Sequence, residues 1–150
     1  MAARYTRRLQ KELGEIQRAA PAGLEIGEVT NLEHWTIGVL GAKDTLYEGE
    51  KFQLHFKFPT QYPLEAPEVT FVGNHIPMHP HIYSNGHICL SILYDGWSPV
   101  LSVQSVCLSI LSMLSSSPVK ERPADNDTYV KNAKGRSPKD TKWWFHDDKV

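Results

Sequence analysis

Cysteine is scarce: the 150 residues hold two, Cys89 and Cys107. Two cysteines cannot build a disulfide framework, so a reducing compartment is expected, cytoplasmic and/or nuclear. Long apolar runs are missing as well. No stretch approaches the roughly 18 residues that a membrane-spanning helix requires, so no membrane partner is expected. The first residues, MAARYTRRLQKELG, carry charge where a signal peptide has its apolar centre. An excess of one charge is also lacking. A formal net charge of −1 argues against a nucleic-acid binder, which needs a strongly basic balance with interleaved aromatics. There is no internal repeat, which excludes a solenoid.

What the chain does contain is an ordinary supply of core material. Hydrophobic residues make up 41% and charged residues 22%, the proportions of a soluble globular domain. Four tryptophans, six tyrosines and five phenylalanines are spread along the chain and exclude whole-chain disorder. At this length one domain is expected, burying about 68–70% of its unfolded surface. The charges are unevenly placed. Residues 1–20 carry five basic side chains against two acidic, residues 21–70 three against eight, and residues 131–150 six against three. A basic first helix that meets a protein partner is the reading this layout favours.

The periodicity gives the elements. Tyr5, Leu9, Leu13 and Ile16 form one helical stripe with Arg4, Arg7, Arg8 and Lys11 off it, and Pro21 and Gly23 end that helix. Trp35, Ile37 and Val39 alternate in a strand, and Phe52, Leu54, Phe56 and Phe58 alternate more cleanly in another. Weaker strands are expected at Leu24–Val29 and Glu68–Val72, the four forming an antiparallel meander. Residues 72–100 show no periodicity and are rich in glycine and proline. A long irregular stretch within a compact domain is usually functional. Then Val103, Val106, Cys107, Ile110, Leu111 and Leu114 mark a largely buried helix capped by Ser102. A short helix near Pro123–Tyr129, capped by Asp125 or Asn126, should follow. Helix, meander, irregular loop and helices in that order predict an α+β domain. Residues 1–132 are expected to form the core domain. Residues 133–150 read as a mobile C-terminal tail with an aromatic cluster, Trp143, Trp144 and Phe145.

The irregular stretch gathers chemistry: His75, His79, His81, His87 and Cys89. Cys107 lies on a core stripe, so Cys89 is the better candidate for a reactive thiol, although most free cysteines are inert buried hydrophobes. His79, His81 and His87 with Cys89 offer four zinc ligands but lack the paired-cysteine spacing of structural zinc, so no metal and no cofactor are expected. A Cys–His protease is a further reading, without any protease signature.

The segments YPLEAPEVTF (62–71), the HP of HPH (79–80), NGHICLSIL (85–93) and WSPVLSV (97–103), in this order, resemble the ubiquitin-conjugating enzymes over nearly the whole chain. More specifically, His81 directly after His-Pro, YSNGHICLSIL and KWWFHDD resemble the W class of that family. The resemblance implies the family's α+β fold and a thioester relay. Cys89 would take ubiquitin from the ubiquitin-activating enzyme and pass it to an amine. His79 would shape the loop, and an acid near Asp125 or Asp127 would assist. RING or U-box ligases would grip Arg4, Arg7, Arg8 and Lys11, then Pro63 and Leu64, then Ser98 and Pro99.

Residue 81 departs from the family pattern, which has asparagine there. His81 is open as a base, as a hydrogen-bond donor to the oxyanion, or as loop packing. The W class implies transfer to a substrate's N-terminal α-amino group, and to substrates with disordered N-termini. A lysine-directed conjugating enzyme, one for a ubiquitin-like modifier, and a non-catalytic ubiquitin-binding variant are the alternatives.

Overall fold

The computed structural model describes residues 2–143, with the backbone alone for residues 2–4. Helix α1 spans Ala2–Arg18 and buries Leu9 and Ile16 completely, with Tyr5 and Leu13 packed beside them. No proline interrupts it before Pro21, and its last turn closes with the Ala19 amide on the Glu15 carbonyl.

Strands β1 (Leu24–Thr30), β2 (His34–Leu40), β3 (Lys51–Lys57) and β4 (Glu68–Val72) pair in sequence order, all antiparallel. The alternation read from the sequence is the alternation of burial. Trp35, Ile37, Val39, Phe52, Leu54, Phe56, Val69 and Phe71 all point to one face and are essentially sealed from solvent. Each such side chain contributes roughly 1.5–3 kcal/mol through its burial. β1 is an edge strand whose register slips between Ile26 and Val29, a bulge that leaves Glu28 exposed. On the other edge, Thr70 of β4 bridges to His87.

Helix α2 (Val103–Ser115) lays Val103, Val106, Cys107, Ile110, Met113 and Leu114 into the core. The Ser102 hydroxyl accepts from the Ser105 amide at 3.1 Å, the expected cap. Leu108 stays 43% exposed on the opposite face. Helix α3 (Asn126–Asn132) begins directly after Asp125, one of the two expected caps, but the Asp125 side chain makes no capping hydrogen bond. The Asp125 carboxylate accepts from the Tyr83 hydroxyl at 2.9 Å, and Asn126 Oδ1 from the Ser84 amide at 2.8 Å. Both side chains therefore reach back to residues 83–84 instead of closing the first turn of α3.

Residues 133–143, whose composition reads as a tether, carry definite contacts in the structure. The Ser137 hydroxyl donates to Glu68 at 2.5 Å, and Lys139 Nζ reaches the Glu65 carboxylate (2.8 Å) and the Ala66 carbonyl (2.6 Å). Trp143 donates from its indole to the Pro138 carbonyl at 2.9 Å and stacks on Tyr94, ring centroids 5.0 Å apart. These contacts could not be read from local composition, because the partners are 69 to 74 residues away in the chain. Trp144 and Phe145 lie outside the described residues. No helix among the described residues is long and apolar enough to cross a membrane.

Candidate active site

The irregular stretch folds as two linked turns against β4. In the first, the Ile82 amide donates to the His79 carbonyl at 3.0 Å, and the Cys89 amide to the His81 carbonyl at 2.8 Å. In the second, Gly86 adopts φ +91° and lies so close to β4 that a Cβ there would stand 1.9 Å from the Phe71 carbonyl oxygen. Only glycine satisfies both demands. The Asn85 side chain closes this turn by accepting from the His87 amide at 3.1 Å. Asn-Gly-His is thus a docking device that delivers Cys89 to the end of the first turn.

Cys89 is 9% exposed, at the margin of the core, whereas Cys107 is fully buried on α2. Both are free thiols. Burial pushes the Cys89 thiol up to about 11, and the Asp125 carboxylate adds to the rise. Burial alone pushes Cys107 to about 12. The expected reactivity of Cys89 thus gains nothing from a lowered pKa, because burial makes its thiolate scarcer. No cation compensates the desolvation, and the nearby charge is a carboxylate.

The histidines separate into roles. His79 is 3% exposed and both its ring nitrogens are engaged: Nδ1 accepts from the His81 amide at 2.9 Å, leaving Nε2–H to donate to the Met113 carbonyl at 3.2 Å. Burial lowers its pKa to about 4, so it is a neutral strut between the first turn and α2. His81 is half-buried with its ring 5.5 Å from that of His79, and its backbone supports both His79 and Cys89. His87 contacts the Tyr129 hydroxyl through Nδ1 at 2.7 Å. Tyr83, Tyr94, Tyr129 and Trp143 form an aromatic wall beside Cys89, with Tyr83 and Tyr129 stacked at 3.9 Å. Tyr94 donates to the carbonyl of Ile88, next to Cys89, at 2.5 Å. Among the described residues no group of three or more His, Cys, Asp or Glu is arranged to hold a metal ion.

Cys89 is thus a nearly buried thiol held beside two backbone-locked turns. Residues 8–147 match the family model described as ubiquitin-conjugating enzyme. This chain belongs to the ubiquitin-conjugating enzyme family. Among its relatives, Ubiquitin-conjugating enzyme 15 of Arabidopsis thaliana is 65% identical over 144 residues, 95% of this chain and 89% of that one. Ubiquitin-conjugating enzyme E2 W of Caenorhabditis elegans is 59% identical over 148 residues, 97% of each chain. The crystal structure of ubiquitin conjugating enzyme E2 UbcA1 from Agrocybe aegerita superposes with a TM-score of 0.86 at 47% identity, covering 90% of this chain and 98% of that one. This conjugating enzyme is therefore a transferase whose partners are ubiquitin, the ubiquitin-activating enzyme and ubiquitin ligases.

The residues expected to meet a ligase differ in exposure. Arg7, Lys11 and Pro99 are exposed, Pro63 and Ser98 are half-exposed, and Leu64 is 71% exposed. The Arg4 side chain lies outside the described residues. Arg8 turns inward: its Nη2 donates to the carbonyls of Pro99 (3.0 Å) and Leu101 (2.7 Å), and its Nε to Glu12 at 2.6 Å. Val100, 87% exposed, was not foreseen, although it sits inside WSPVLSV. Glu12 was missed too. Only 6% exposed, it accepts from Arg8, the Tyr62 hydroxyl (2.6 Å) and the Val103 amide (2.7 Å), tying α1 to the segments that flank Pro63 and Pro99. A carboxylate between Leu9 and Leu13 on an apolar stripe was a readable signal. The tyrosines around Cys89 left no such trace.

Proposed function

We propose that Cys89 carries ubiquitin as a thioester and passes it to the N-terminal α-amino group of substrate proteins, with RING or U-box ligases docked on Arg7, Lys11, Leu64 and Pro99. The amine nitrogen attacks the thioester carbonyl carbon, the C–S bond breaks, and Cys89 leaves as thiolate and takes up the proton that the amine releases. The observation that carries the reading is the placement of Cys89: 9% exposed, its backbone N–H donating to the His81 carbonyl, with Asp125 acting on its charge. At pH 7 only about one such thiol in 10⁴ is ionised. A high-pKa thiol is a reluctant leaving group, so the thioester is stored rather than spilled to water and yields to a positioned amine.

The choice of amine follows from acidity. An α-amino group has a pKa of about 7.7–8.0 and lysine about 10.4, so at neutral pH the free-base fractions differ by roughly two and a half decades. An enzyme with histidine at position 81 in place of the family's asparagine suits the acceptor that needs less help losing a proton. His79 holds the turn, and Asp125 lies on the acceptor side. Access supports disordered N-termini: an amine on an unfolded chain approaches a nearly buried sulfur as a single strand, where a folded surface would collide with the aromatic wall.

The test is to charge the enzyme with ubiquitin and follow thioester discharge to free lysine, to a peptide with a free N-terminus, and to its N-acetylated form. Only the free N-terminus should accelerate discharge. Equal or faster loss to lysine favours the lysine-directed alternative. Charging with another ubiquitin-like modifier, or with none, identifies the remaining two.

A further inference from the structure

The first turn, residues 76–82, is almost all backbone polarity, and one side chain collects most of it. Arg122 Nη1 donates to the carbonyls of Pro77 (2.5 Å) and Ile82 (3.3 Å), and Nη2 donates to that of Ile76 (3.2 Å). The acceptors flank His79-Pro80-His81 on both sides. Tyr47 covers the gap by donating to the Met78 carbonyl at 2.6 Å. Just beyond Arg122, Asp125 accepts from the Tyr83 hydroxyl, and Asn126 holds the Ser84 amide and, at 3.1 Å, its hydroxyl. Residues 122–126 are therefore zipped side chain by side chain onto residues 82–84. Glu121 and Asp125 are the nearest carboxylates in sequence, yet among the described residues the guanidinium makes no ion pair with either, and its hydrogen bonds go to carbonyls.

We propose that Arg122 is the positioning residue of the transfer step: its guanidinium holds both ends of the turn whose His81 carbonyl fixes the backbone of Cys89. The chemistry selects arginine. Three carbonyls at different angles need a planar fork of donors, and a lysine ammonium, a single point on a flexible stem, spans one or two of them. Release of the turn moves the thioester carbonyl relative to the incoming amine. A misplacement of about 1 Å at a reacting centre costs on the order of 10²-fold in rate. The inference rests on Cys89 as the acyl carrier, and any amine that discharges it serves, so it does not depend on N-terminal preference.

Single-turnover discharge of the preformed ubiquitin thioester tests it, in the parent and in Arg122→Lys, over a range of peptide amine concentrations, with thermal melts of both. The parent thioester on Cys89, identified by mass spectrometry, controls for the carrier reading. The expected result is a maximal discharge rate at least 10-fold lower in Arg122→Lys, an unchanged half-saturating amine concentration, and a melting temperature within a few degrees of parent. In Arg122→Ala, millimolar methylguanidinium should restore part of the rate and methylammonium should not. A parental rate in Arg122→Lys overturns the proposal. So does a rate loss that only tracks the unfolded fraction, or equal rescue by both cations.

Discussion

Removing Glu12 should cost more than removing any other charged side chain on α1. In Glu12→Ala the Tyr62 hydroxyl and the Val103 amide lose their acceptor, and both residues are 2% exposed. Each orphaned buried donor costs about 1–3 kcal/mol. Arg8, with 27% of its side chain exposed, recovers most of its loss from water and adds little. The sum is roughly 3–5 kcal/mol, the usual range for breaking a buried charged pair. For a domain of this size that is a fall on the order of 10 °C in Tm. Glu12→Gln keeps one acceptor oxygen but turns an NH₂ towards the remaining donors, and should lose about half as much. Urea melts of both variants, with exposed Glu15→Ala as control, measure this. A Tyr62→Phe background supplies a double-mutant cycle, in which the two losses should fall short of additivity by about 1 kcal/mol or more. Glu12→Ala within 1 kcal/mol of parent, with additive losses, would refute the network.

Other outcomes follow from the site and its surroundings. Cys89→Ser should trap an oxygen ester of ubiquitin while Cys107→Ser still charges, and mass spectrometry locating the acyl group on Cys107 would reverse the assignment. Leu64→Asp should abolish the ratio of ligase-stimulated to unstimulated discharge, and an unchanged ratio removes Leu64 from the ligase surface. His79 takes up its proton near pH 6.5 when unfolded and near 4 when folded. Between those values the unfolded chain binds more protons, so stability should fall as pH drops from 6.5 to 4, by at most about 3 kcal/mol. His55 and His87 are lowered as well and act in the same direction; if His79→Gln keeps the parental pH slope, His79 is not the source. Deleting residues 133–150 should leave thioester formation in place while transfer to an N-terminal amine falls, and a loss of both in step with unfolding assigns the tail to stability alone.

The fold was legible in the sequence wherever burial repeats with a period. Phe52, Leu54 and Phe56 alternate because one sheet face is wet and the other dry, and α2 shows its stripe for the same reason. Cys89 stood out against Cys107 because glycines and histidines surround one and a helical stripe the other. What sequence did not show are contacts between residues far apart in the chain, where no local rule applies. Asp125 sits at the cap position of α3, but its carboxylate bonds Tyr83, 42 residues away in the chain. Residues 133–143 have a tether's composition, and their anchors, Glu65 and Glu68, belong to another part of the chain. The thiol's raised pKa depends on burial and on Asp125, which is 36 residues further along the chain and comes near Cys89 only through folding.

The sheet's two edges are treated differently, and the difference bears on how easily another strand could add to either one. A bare strand edge invites another strand. On β1 the bulge and exposed Glu28 spoil the row of hydrogen bonds that a second chain would need. β4 has no such spoiler and is occupied by its own chain: His87 bridges to Thr70, Ser137 holds Glu68, and Lys139 reaches the Ala66 carbonyl just ahead of the strand. The C-terminal stretch is thus a guard as well as a neighbour of the thiol. A chain shortened before Ser137 would keep the His87 bridge but uncover the Glu68 end of β4, and association through the sheet in such a chain would begin there.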